Sequence, residues 1–288
     1  MARSRMRRHG TIYNRPMKIG IFDSGLGGLL IAHSLLSSLP GHDYLYLGDT
    51  ARVPYGNRQQ PDIYGFTLQA VDYLFDQGCD LIVIACNTAS AEALRRIQRE
   101  YLPSRHPDKR VLGVLIPAAE AAVSATKTGR VGVLATVSTV SSGAFTRELL
   151  KLNPAIEVQS VAAPLLVPLV ESDSIAEASP ALDTYLAKFT DIDTLILGCT
   201  HYPYLKSMIR HKVGHSVKVI TQDEILPDKL ADYLERHDRD MGPASPDGRR
   251  QFLLTRLTPG SLAIARRLFA GRIELSEIKL PDRKPHSG

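Results

Sequence analysis

The sequence lacks any apolar run near the roughly 18 residues that a membrane helix needs. Its richest stretch, Val161–Val170, is ten residues long and carries two prolines. The basic first residues run into Gly10, Thr11 and Asn14 instead of an apolar segment, so they do not read as a secretory leader. Membrane-embedded and secreted proteins are therefore disfavoured. Cysteine is scarce: Cys79, Cys86 and Cys199 make an odd number, which points to a reducing cytoplasm and free thiols. Their spacing fits no paired C-x-x-C or H-x-x-x-H zinc pattern. A Walker lysine is missing, and Gly25-Leu26-Gly27-Gly28 does not continue as a GxGxxG dinucleotide fingerprint. Neither a metal nor a cofactor is expected.

Charge of one sign is concentrated in one place. The net charge is +5, yet residues 1–16 hold five arginines and no acid. Removing them from 35 basic and 30 acidic residues leaves 30 of each, a neutral body. Such a body does not track phosphates, so nucleic-acid binding is not expected and the arm reads as a dispensable extension.

With 288 residues the chain is long enough for two domains with real cores. Short β-rich apolar runs alternate with helical patterns. The strands are expected at Lys18–Phe22, Asp43–Leu47, Leu81–Ala85, Val111–Leu115, Arg130–Ala135, Glu157–Val161, Thr194–Leu197 and Val217–Ile220. Helices are expected at Leu29–Leu39, Tyr64–Phe75 and Ala89–Tyr101. This alternation, with strands apolar on both faces, predicts an α/β architecture with mainly parallel sheets. Beyond residue 225 a helix (Pro227–His237), a polar loop (Asp238–Arg249), a strand (Gln251–Leu254) and a helix (Ser261–Phe269) are expected. The terminal LPDRKPHSG reads as a frayed tail.

An internal repeat organises these elements. Aligning Gly20 with Gly132 puts Tyr46 and Val158 each 26 residues further on, and Val53-Pro54 near Val167-Pro168 with an offset of two. Cys86 lies 66 residues past Gly20, and Cys199 lies 67 past Gly132. Each cysteine directly follows an apolar strand. The expected fold is two pseudo-symmetric doubly wound parallel-sheet domains facing across a cleft. The extension is 1–16, the first domain 17–112 plus 224–288, and the second 113–223.

Ligands of open α/β sheets bind beyond the carboxyl ends of the strands. That rule selects Asp23-Ser24, Asp49-Thr50, Cys86-Asn87-Thr88, Ala135-Thr136 and Cys199-Thr200-His201. A lone cysteine at a strand end is most often a small packing residue, as Cys79 is expected to be. A symmetric pair flanked by Asp23, Thr88 and His201 fits a reaction needing two facing acid/base groups. Racemisation at carbon is such a reaction: one group removes a proton from one face and the other delivers one to the opposite face. A free thiol of pKa about 8.5 becomes a thiolate at pH 7 for about 2 kcal/mol. That is small beside the roughly 8–23 kcal/mol that enzymes supply, so donors aimed at developing enolate-like charge must supply most of it. Ser24, Thr88 and Thr200 sit at strand-to-helix turns, which favour anions, although Ser and Thr also cap helices without any ligand. Gly56 would allow close backbone approach.

The stretches IGIFDSGLGGL (19–29), YLGDTARVPYGNR (46–58), IACNTASA (84–91), PLVES (168–172) and LILGCTHYP (195–203) resemble glutamate racemases, within the aspartate/glutamate racemase superfamily. The resemblance runs from about Lys18 to Phe269. It implies that Cys86 and Cys199 are the two acid/base thiols, the first serving the D-enantiomer and the second the L-enantiomer. It makes Asp23, Glu171 and His201 polar assistants of those thiols. Substrate-binding positions are implied at Asp23, Ser24, Tyr55, Gly56, Asn87, Thr88, Thr200 and His201. It also implies glutamate as substrate, no pyridoxal phosphate or metal, a cytoplasmic homodimer, and supply of D-glutamate for bacterial peptidoglycan. A peptidoglycan precursor as regulator is a further expectation. The competing expectations are a relative acting on aspartate or a malonate, and a regulatory binding protein on the same scaffold.

Overall fold

The computed structural model describes residues 17–237 and 248–281. The basic arm, most of the expected 238–249 loop and the end of the tail lie outside the described residues. Among the described residues ten strands form two parallel sheets. The first holds β1 (Lys18–Asp23), β2 (Asp43–Gly48), β3 (Leu81–Ile84), β4 (Arg110–Gly113), β9 (Arg250–Leu254) and β10 (Leu275–Glu277), in the order β10-β9-β2-β1-β3-β4. The second holds β5 (Arg130–Ala135), β6 (Glu157–Ala162), β7 (Thr194–Gly198) and β8 (Lys218–Ile220), in the order β6-β5-β7-β8. Every pairing is parallel. The α/β expectation therefore holds.

Central strands follow from sequence that cannot face water on either side. Leu81, Ile82, Val83 and Ile84 are all buried, and so is each residue of Thr194–Gly198. Their two faces feed separate apolar clusters: Ile19 and Ile21 pack with the Gly28–Ser38 helix, whereas Phe22 packs with Leu68, Val71 and Leu74 of the Gln60–Asp76 helix. β6 is an edge strand, and its Glu157 and Ser160 are exposed accordingly.

The orders β2-β1-β3-β4 and β6-β5-β7-β8 are the same, so the sequence repeat is a structural one. Its register differs from the expected alignment. Gly20 pairs with Leu45, but Gly132 pairs with Gln159, so the first connection is two residues longer in the second half. Tyr46 therefore corresponds to Ser160 and not to Val158. The same two residues account for the offset between Val53-Pro54 and Val167-Pro168.

Several boundaries move. The expected Val111–Leu115 strand is Arg110–Gly113, because Leu115 opens a helix running to Ala125. The expected Ala89–Tyr101 helix starts at Asn87 and is broken. The helix is interrupted at Ala93, whose φ of −117° departs from the usual helical value, and Ile97–Tyr101 widens to a π turn ahead of Pro103. Proline lacks the donor for the carbonyl four residues back and its ring crowds that carbonyl, which favours such widening. The Pro227–His237 helix begins at Gln222, with Asp223 and Glu224 suited to its positive N-terminal end. β10 was not expected at all. Nor is the start of the tail frayed, since Leu280 is buried in a core cluster and Gln69 donates to the Pro281 carbonyl.

Candidate active site

In each sheet the chain winds to one side from the first strand and to the other from the third, so a crevice opens at the carboxyl ends of β1/β3 and of β5/β7. Four segments meet there: Asp23-Ser24 after β1, Cys86-Asn87-Thr88 after β3, Thr136 after β5, and Cys199-Thr200-His201 after β7. Ser24, Tyr55, Gly56, Asn87, Thr88, Thr200 and His201 line one cavity with both thiols. Cys79 lies elsewhere, packed below Gly20 in the core, as expected of a structural cysteine.

Cys86 is the N-cap of the Asn87–Glu92 helix. Its sulfur accepts from the Ala89 amide at 3.4 Å and shares a hydrogen bond with Ser24 Oγ at 3.2 Å. Burial pushes this thiol up to about 12, with further upward pressure from the Asp23 carboxylate; the Ser24 and Ala89 contacts only soften the effect. Ionising it at pH 7 without substrate would cost roughly 7 kcal/mol at 1.36 kcal/mol per pKa unit. The figure of about 2 kcal/mol taken from a free thiol is thus too low for this site.

Cys199 has a different neighbour. Its sulfur lies 3.7 Å from His201 Nδ1, and His201 Nε2 lies 2.5 Å from Glu171 Oε1. Burial alone would lower the His201 pKa. The hydrogen bonds to Cys199 and Glu171 and the Glu171 charge outweigh it and hold the imidazole well above its usual value. Glu171, despite the cost of burial, is held below the ordinary carboxylate range by His201 and by the Leu26 amide, which donates to it at 2.9 Å. Glu171 is thus no solvated helix-end residue, and His201 bridges it to the thiol.

Asp23 is fully buried, and desolvation raises its pKa despite His201 and donors from Gly25 and Thr200. It makes no bond to either sulfur; Thr200 Oγ1 donates to it at 3.1 Å. Thr88 is no helix cap: its hydroxyl pairs with Thr136 at 2.9 Å and Thr139 at 3.3 Å, tying the two halves together. Gly56 earns its place by close approach, since a Cβ there would stand 2.5 Å from the Thr136 Cβ. The Tyr55 hydroxyl points away from the thiols and donates to Asp49 at 2.5 Å, which also accepts from Arg52 and Thr255. Thr136, Thr139 and Asp49 were not assigned to the site from sequence. Asp49 and Thr136 stood at expected strand ends, but neither the bonding of Thr136 and Thr139 to Thr88 across the halves nor that of Asp49 to Tyr55, Arg52 and Thr255 has a local signature. The glycine-rich 25–28 turn has a packing reason: a Cβ on Gly27 would lie 2.4 Å from Thr200 Oγ1 and 2.6 Å from backbone.

Size alone would choose another place. A recess of about 320 Å³ opens among Leu94, Arg95, Ile116, Arg147, Leu230 and Tyr233, but it carries neither thiol. The thiol cavity has only about 10 Å³ for solvent, about one water. Chemistry singles out the smaller one. Among the described residues no group of three His, Cys, Asp or Glu is arranged to hold a metal ion, and no helix is long and apolar enough to cross a membrane.

Known proteins resemble this chain in sequence and in fold. The family described as Asp/Glu/Hydantoin racemase matches residues 30–224. A glutamate racemase of Roseobacter denitrificans is 40% identical over 244 residues, 80% of this chain and 90% of that protein. The structure of a Francisella tularensis glutamate racemase in complex with D-glutamate superposes with a TM-score of 0.82 at 31% identity, over 92% of this chain and 98% of that one. That of the Escherichia coli glutamate racemase with L-glutamate and the activator UDP-MurNAc-ala gives 0.74 at 25% identity, over 91% and 98%. By sequence and by fold, this chain belongs to the glutamate racemases of the Asp/Glu/Hydantoin racemase family.

Proposed function

We propose that this chain interconverts L- and D-glutamate without a cofactor, using Cys86 and Cys199 as facing bases. One observation carries this: two thiols at equivalent strand ends of a structural repeat line a single cavity. In one direction a thiolate takes the Cα proton, the electron pair delocalises into the adjacent carboxylate, and the opposite thiol donates its proton to the other face. The return reaction exchanges the two roles. Cys86 would deprotonate the D-enantiomer and Cys199 the L-enantiomer. His201, hydrogen-bonded to Glu171 and 3.7 Å from the Cys199 sulfur, would stabilise a Cys199 thiolate. Asp23 would attract the substrate ammonium, whose charge offsets the cost of ionising Cys86. Ser24, Asn87, Thr88, Thr200 and the Tyr55-Gly56 backbone would cradle the carboxylates.

The division into residues 17–112 with 224–288 and residues 113–223 is part of the same proposal. So are a cytoplasmic location, a homodimer, D-glutamate supply for peptidoglycan, and sensitivity to a precursor of the UDP-MurNAc class. A role on nucleic acid is not proposed. A rival substrate such as aspartate is separated from glutamate by rate in a coupled assay without added cofactor.

The mechanistic test uses heavy water. Early product should carry deuterium at Cα while unreacted substrate carries almost none, because the incoming proton comes from a thiol already exchanged with solvent. Cys86→Ala and Cys199→Ala should each lower full racemisation by at least about a thousandfold, as loss of a general acid or base does. Near-parental racemisation by either variant, or equal early label in both enantiomers, would refute the two-thiol mechanism.

A further inference from the structure

Among the described residues, two buried side-chain atoms with no hydrogen-bond partner belong to one bonded pair. Gln222 Nε2 donates to Asn87 Oδ1 at 2.9 Å, leaving Asn87 Nδ2 and Gln222 Oε1 unpartnered. Both residues are almost completely buried, at 1% and 0% exposure. A buried amide that leaves a donor unpaired costs about 1–3 kcal/mol, so its persistence needs a reason. Asn87 lines the thiol cavity one residue past Cys86, whereas Gln222 does not. Gln222 opens the helix that leaves β8 of the second sheet and packs on the Gly28–Ser38 helix of the first.

An amide has two faces of opposite hydrogen-bonding sense. If nothing fixes it, an asparagine can present either its carbonyl or its NH₂ to a ligand. Only the NH₂ attracts a carboxylate; the carbonyl repels it. Because Gln222 supplies a donor, the Asn87 carbonyl is turned to it, and Nδ2 is the amide atom left for the cavity. We propose that Gln222 is a positioning residue that sets the orientation of the Asn87 amide so that its NH₂ faces a substrate carboxylate. It acts only through Asn87. This rests on the proposed use of Asn87 in binding glutamate.

The test pairs a kinetic cycle with a signal that needs no substrate. Gln222→Met keeps the approximate shape and removes both hydrogen-bonding groups. It should raise KM for glutamate about tenfold while kcat stays within about threefold, as expected when binding common to ground and transition states is lost. In an Asn87→Ser background the same change should add nothing, since the partner it acts through is gone. In nitrogen-15 spectra of the substrate-free protein, the Asn87 NH₂ pair, identified by its loss in Asn87→Ser, should shift or broaden in Gln222→Met. Should that variant fail to fold, Gln222→Asn, too short to span the contact, should give the same pattern. Equal KM penalties in the two backgrounds, or unchanged Asn87 NH₂ signals, overturn the assignment. A parent protein inactive on glutamate would instead refute the proposed function, and the NH₂ signals would still decide the role of Gln222.

Discussion

At the scale of single residues, Cys86 and Cys199 hold equivalent places in the repeat yet differ in what would stabilise their thiolates. Cys86 faces a hydroxyl, a backbone amide and the negative Asp23, whereas Cys199 faces an imidazole tied to a carboxylate. The His201–Glu171 pair makes this asymmetry measurable through stability. His201 titrates above its ordinary 6.5 in the folded chain. Its contribution is therefore complete below about pH 6.5, where the unfolded imidazole is also charged, and is lost as pH rises through the folded value. Glu171 titrates below its ordinary 4.5, so its contribution is present above that pH and fades as pH falls through its folded value. Melting temperature should thus fall as pH rises above about 6.5, and His201→Gln should flatten that alkaline decline while lowering Tm at pH 6. A variant whose alkaline slope equals that of the parent would show that His201 is not held charged. The two cysteines, Asp23 and His201 were legible in the sequence because each stands at the end of an apolar strand. Their asymmetry was not, because it depends on Glu171 arriving from a helix 30 residues away.

At the scale of elements, the strands and the repeat were legible because parallel strands covered on both faces must be apolar, and that signal is local. What failed was equally physical. β10 has the sequence Leu275-Ser276-Glu277, too polar to read as a strand, and it is held as an edge, with Glu277 accepting from the Leu257 amide. The π turn at Ile97–Tyr101 precedes Pro103, whose effect reaches back one turn. Leu280 looked like tail because burial beneath a distant helix leaves no mark on neighbouring residues. The Tyr55–Asn57 turn depends on such distant contacts too. It is anchored on one side by Tyr55 to Asp49 and presses Gly56 onto Thr136 at the start of the Val137–Ser141 helix. Gly56→Ala must push that turn and helix apart, because the obstacle is a Cβ and not the end of a flexible chain. We expect kcat/KM for glutamate to fall about a hundredfold, since a misplacement near 1 Å costs that order. Tm should fall by a few degrees at most, as for a loss of about 1 kcal/mol in a chain of this size. Steady-state kinetics beside calorimetry decides it; a large Tm loss with unchanged kcat/KM would mean that the contact serves stability alone.

At the scale of the whole molecule, the thiol cavity holds space for about one water, so admitting glutamate requires the cleft to widen. What joins them near the site is polar: Thr88 to Thr136 and Thr139, Ser138 Oγ to Glu92 Oε1 at 2.9 Å, and Arg95 to Glu148. Such contacts re-form after separation, whereas the large apolar cluster that runs through both halves, from Ile19 and Val83 to Val133 and Ile196, resists it and confines the movement to the cleft. Opening should therefore be a sub-global event, cheaper than unfolding. The three buried cysteines report on the two kinds of event separately. Cys86 and Cys199 are exposed only when the cleft opens, and Cys79, at 0% exposure within the first sheet's core, only when that core unfolds. With a small alkylating reagent at pH 8, mass spectrometry should find Cys86 and Cys199 modified well before Cys79. Saturating glutamate should slow the first two by at least about tenfold, through stabilisation of the closed form, as linkage requires. Cys79 should respond to glutamate only as far as global stability rises. Equal rates at all three thiols would mean that the halves part only by unfolding. Rapid labelling of Cys86 and Cys199 without glutamate protection would mean that the closed cavity is not where the ligand sits.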